Sequence, residues 1–106
     1  MPTTQIQVTA ADNEIMLIAC SATGSSELLH YKSSYNKPVN VTVYPGAMLS
    51  TGSYTLAIIG LNWGGPASFT VVVTTDGHAR TFHGGAASAA GSVWTQSIPM
   101  SVVSGP

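Results

Sequence analysis

Charge is what this sequence has least of. Only 7% of its 106 residues are Asp, Glu, Lys or Arg, against roughly 25% in an average soluble domain. Three basic residues stand against four acidic ones. Three cations cannot make a phosphate-binding stripe, so nucleic acid is a poor partner and none is expected, and an anionic membrane surface is a poor partner for the same reason. Four scattered carboxylates offer no acidic cluster for calcium and no close pair for glycoside hydrolysis. Cys20 is the single cysteine, which rules out an intramolecular disulfide framework. It lies in an apolar run and reads as a small buried hydrophobe, not as a nucleophile. No apolar run approaches the ~18–20 residues of a spanning helix, so membrane insertion is not expected. The amino end, MPTTQIQVTAADNE, lacks the basic and apolar regions of a signal peptide. Cytoplasmic synthesis, non-classical export and a mature secreted chain all fit it, so the compartment stays open.

What is present is strand periodicity. Residues 4–10 alternate, with Ile6 and Val8 on one side. Residues 14–20 (EIMLIAC) are apolar almost throughout, which argues cover on both faces and is too short to favour a helix. Segments 27–32, 39–44, 53–61, 67–75, 78–83 and 92–103 complete the set, several rich in β-branched residues. The segment 27–32 (ELLHYK) has the weakest pattern. Asp76-Gly77 is the strongest turn signal, a dipeptide that tolerates positive φ in a two-residue hairpin. Pro99 marks an edge or bulge. About eight short strands without crossover helices predict one all-β domain over residues 1–106. The expected fold is an antiparallel β-sandwich, jelly-roll or Ig-like, with a small barrel as the alternative.

If each strand runs antiparallel to the one before, the connections alternate between two ends. Residues 11–13, 33–38, 62–66 and 84–91 then fall at one end, and 21–26, 45–52 and the Asp76-Gly77 turn at the other. The first end collects the chemistry: Asp12, Asn13, Tyr35, Asn36, Lys37, Asn62 and Trp63, with His83 at its approach. Loops on a rigid scaffold are where binding groups sit.

Trp63, in the turn GLNWGGPA (60–67), admits two readings. In one it caps the open end of the core and donates its N–H to a backbone carbonyl; this reading ranks first. In the other it is a flat platform for a planar or sugar ligand, with Asn62 supplying donor and acceptor. Trp94 alternates with Gln96, Ile98, Met100 and Val102 and is expected in the core.

The hairpin register predicts Thr75 opposite His78 and Val73 opposite Arg80. His78 and His83 then point to opposite faces and cannot share an ion, so no metal is expected. No GxSxG elbow or phosphate-cradling glycine motif is present, and no cofactor or enzymatic activity is expected. The expectation is a non-catalytic binding module, a metal-independent lectin-like protein for neutral carbohydrate or another uncharged polar ligand. Its candidate site is Trp63, Asn62, Tyr35, Asn36, Asp12 and His83. A homo-oligomer is expected, since the surface is nearly uncharged; the Thr70, Val72, Thr74, Ala79, Thr81, His83 face is one candidate contact. The alternatives are a self-assembling virion, tail or surface module, and an inhibitor presenting the 84–91 or 33–38 loop.

Overall fold

A computed structural model of the chain describes residues 2–33, 37–85 and 89–105. It contains eight strands: β1 (Thr3–Asp12), β2 (Glu14–Ser21), β3 (Gly24–Lys32), β4 (Val41–Val43), β5 (Gly52–Asn62), β6 (Ser68–Thr75), β7 (His78–Gly85) and β8 (Gly91–Val102). They form two antiparallel four-stranded sheets, ordered β4-β1-β6-β7 and β3-β2-β5-β8. Neither sheet closes onto the other, so the fold is a sandwich and not a barrel.

The expected elements are all present, including a full-length β3 from the weak segment 27–32. The segment 39–44 yields only the three residues of β4. Chain direction changes there because Pro45 starts a single helical turn, α1 (Pro45–Met48), which no apolar periodicity announced. Proline suits a first helical position because its missing N–H would have no partner there. Gly46 is required at this turn: a Cβ would come within 2.7 Å of the Val103 carbonyl oxygen.

The inner faces of the two sheets make the core. Ile6, Val8, Val71 and Phe69 from the first sheet meet Ile15, Leu17, Leu56 and Ile58 from the second, all fully buried. Each such side chain contributes roughly 1.5–3 kcal/mol through burial. The hairpin β6–β7 has the predicted register, Thr75 opposite His78 and Val73 opposite Arg80. Asp76 and Gly77 take φ of 51° and 76°, the left-handed pair of a type I′ turn.

One open side of the sandwich is closed by Trp94, which is half-buried against the core. Its ring stacks on Phe69 with centroids 5.7 Å apart and an 18° interplanar angle. Gly84 on β7 makes room for it, since a Cβ at that position would lie 2.3 Å from the indole. The indole that completes the core is therefore Trp94.

Candidate functional site

The described loop residues gather at the ends that strand parity predicts. At one end β1 passes from the first sheet to β2 in the second through a single residue, Asn13. The Asn13 N–H donates to the Leu61 carbonyl (3.1 Å), and the Asn13 carbonyl accepts from the Ser33 N–H (2.7 Å). Its side-chain amide donates to Asp12 Oδ1 (3.2 Å). The amide oxygen accepts the backbone N–H of Trp63 (2.9 Å). One buried asparagine thus ties together the β1–β2 corner, the end of β3 and the start of the Trp63 loop.

Trp63 does not cap the core: it is 55% exposed. Nor does its indole N–H reach a backbone carbonyl; it donates to Glu14 Oε1 at 3.0 Å. The core-capping reading fails because that space is filled from β8, by Trp94 stacked on Phe69. Glu14 heads β2 on the outer face of the second sheet. Its other oxygen, Oε2, meets His30 Nε2 on the neighbouring β3. His30 Nδ1 lies 3.9 Å from Glu27 Oε1. The Glu14 side chain is only 12% exposed. Its pKa is held below the ordinary carboxylate value, first by the His30 hydrogen bond and then by the Trp63 indole. Burial pushes the other way, and the charges of His30 and Lys32 add to the lowering. An ionised acceptor with two oriented donors makes stronger hydrogen bonds than a neutral pair would.

The remaining candidates separate. Asn62 is 2% exposed and turned inward, donating from Nδ2 to the Gly65 carbonyl (2.8 Å) and the Ala89 carbonyl (3.0 Å). It holds two loops together and presents no amide to solvent. Asp12 is buried at 7% exposure beside Asn13. It also lines a recess of about 260 Å³ with Lys37, Pro38 and Ser68. His83 stands on the outer face of the first sheet, with Nδ1 3.2 Å from Thr70 Oγ1. It therefore lies on the opposite sheet from the one that carries Glu14. Tyr35 and Asn36 lie outside the described residues.

Glu14 is the residue that sequence reasoning missed. Its signal is slight: it is the one charged side chain on an otherwise apolar strand. His30 lies sixteen residues from Glu14, and their pairing requires the β2–β3 register.

A larger concavity lies elsewhere, at the opposite end beside α1. It is a groove of about 590 Å³ between the start of β1, Tyr44, Ala47 and residues 103–105. Among the described residues Tyr44 is the only titratable side chain on its walls, beside Thr3, Thr4, Gln5 and Ser104. Among the described residues no three His, Cys, Asp or Glu side chains group to hold a metal. No helix among them is long and apolar enough to cross a membrane.

Fold and site together define an all-β sandwich with an anchored, exposed aromatic at one loop end. Comparison with family models, with curated proteins and with solved structures gave no match.

Proposed function

We propose that the chain is a non-catalytic binding module that takes neutral polar ligands, most simply a sugar ring, on the face of Trp63 without metal. The observation that carries this reading is the combination of exposure and fixation at one indole. Trp63 is 55% exposed, yet its backbone N–H and its ring N–H are both held, by Asn13 and Glu14. An aromatic held in one orientation offers apolar area with little entropy left to lose on binding. The nearly uncharged surface favours a neutral ligand over an ionic one.

A glycan array read with the wild type and with Trp63→Ala tests the reading. Expected is a discrete set of neutral glycans bound by the wild type and lost in Trp63→Ala, with the melting temperature unchanged. No glycan bound by the wild type, or binding retained by Trp63→Ala, overturns it.

A further inference from the structure

The two outer faces of the sandwich are chemically different. On the first sheet the outward positions include Gln5, Gln7, Thr70, Val72, Thr74 and Thr81, with Ala79 and His83 beside them, a mostly polar set that suits solvent. On the second sheet the two central strands turn apolar residues outward. Buried Ile15, Leu17 and Ala19 alternate with Met16, Ile18 and Cys20 on β2, and buried Leu56 and Ile58 alternate with Ala57, Ile59 and Leu61 on β5. The register sets Met16 beside Ile59 and Ile18 beside Ala57. These side chains are half-buried.

The flanking strands complete the pattern. Beside this apolar centre, β8 carries Thr95 and Ser97, and β3 carries Glu27 and His30. An apolar centre with a polar rim is the anatomy of a protein–protein interface. From these features we infer that the outer face of β3-β2-β5-β8 is a dimer interface, and that its occupant is the same face of a second copy.

Size, charge and symmetry favour that occupant. Four strands ~4.8 Å apart, each about nine residues long at ~3.3 Å per residue, span roughly 19 × 30 Å. That is ~550 Å² in projection, and on a pleated, side-chain-covered surface it approaches the ~800 Å² per partner of a standard interface. Glu14, opposite Leu61 at the Trp63 end, is the one charged side chain among the outward residues of β2 and β5 and is already paired with His30 and Trp63, and a net charge of −1 gives little repulsion between copies. A two-fold axis along the strands lays the β3 edge of each copy, with Glu27 and His30, over the Ser/Thr-lined β8 of the other. Like charges then do not meet, and the contact is self-complementary, as a closed dimer requires.

Trp63 stands at the loop end of this face, beyond Leu61, and the dimer does not depend on its ligand role. Light scattering coupled to size exclusion should give twice the chain mass for the wild type. Ile18→Lys or Ala57→Glu should give the single-chain mass with an unchanged far-ultraviolet circular dichroism spectrum, while Val72→Lys on the opposite sheet stays dimeric. If both interface variants fail to fold, the wild type alkylated at Cys20 with a bulky maleimide supplies the same test, and its adduct should run as a monomer. A monomeric wild type at every concentration overturns the inference. So does a dimer that survives both substitutions and the adduct, or one that Val72→Lys dissociates. Trp63→Ala should remain a dimer while losing ligand, so failure of the ligand reading and failure of the dimer are read separately.

Discussion

Glu14 has two partners at once, the indole N–H of Trp63 and the imidazole of His30, and this couples the exposed ring to pH. Its folded-state pKa lies below the ordinary value of 4.5. A depressed carboxylate contributes stability that is present above the unfolded-state pKa and is lost as pH falls through the folded-state one. Thermal melts of the wild type at a series of pH values below 4.5 should therefore fall more steeply than those of Glu14→Gln. Over the same window the Trp63 indole proton resonance should shift in the wild type and stay flat in the variant. Equal slopes in the two proteins would show that Glu14 is not held as described. Asn13 and Asn62 act at the same scale in a different way. Their short amides satisfy backbone groups at a corner where the chain changes sheets, and the loop that carries Trp63 inherits its position from both.

At the scale of elements, the decisive contact runs between β7 and β8. Trp94 fills the space between the two sheets because Gly84 has no side chain to obstruct it. Gly84→Ala would drive a methyl group into the indole's own carbons, which are not a flexible chain end. Overpacking of this kind costs about 1–3 kcal/mol, and urea unfolding should register it together with a changed near-ultraviolet spectrum from the displaced Trp94. A Gly84→Ala protein as stable as the wild type would mean that the ring is not seated there. The β6–β7 hairpin shows the opposite situation, where a two-residue sequence signal and the three-dimensional outcome coincide.

For the whole molecule, low charge is the governing property. The His30–Glu27 contact joins exposed groups at 3.9 Å, and such pairs are worth about 0–1 kcal/mol. Cohesion comes instead from the apolar layer between the sheets. Raising the salt from low to physiological strength should move the melting temperature by less than about 2 °C, which is under roughly 0.5 kcal/mol for a domain of this size. A larger shift in calorimetry would reveal an electrostatic contribution that the described contacts do not contain.

The choice of sandwich over barrel came from the sheet topology, while the sequence by itself determined the strands, the all-β class and the division of loops between two ends. Those follow from alternation with a period of two and from local turn chemistry, both of which are properties of neighbouring residues. It could not determine which tryptophan enters the core. Trp63 precedes the turn residues Gly64, Gly65 and Pro66 and Trp94 sits in an alternating pattern, but the space available to each depends on Phe69 and Gly84, which belong to other strands. The fixing of Trp63 by Glu14, and of Glu14 by His30, joins residues far apart in sequence. Such pairs exist only once strand order and register are set, because a side chain's partner across a sheet is chosen by the backbone ladder and not by its neighbours in the chain.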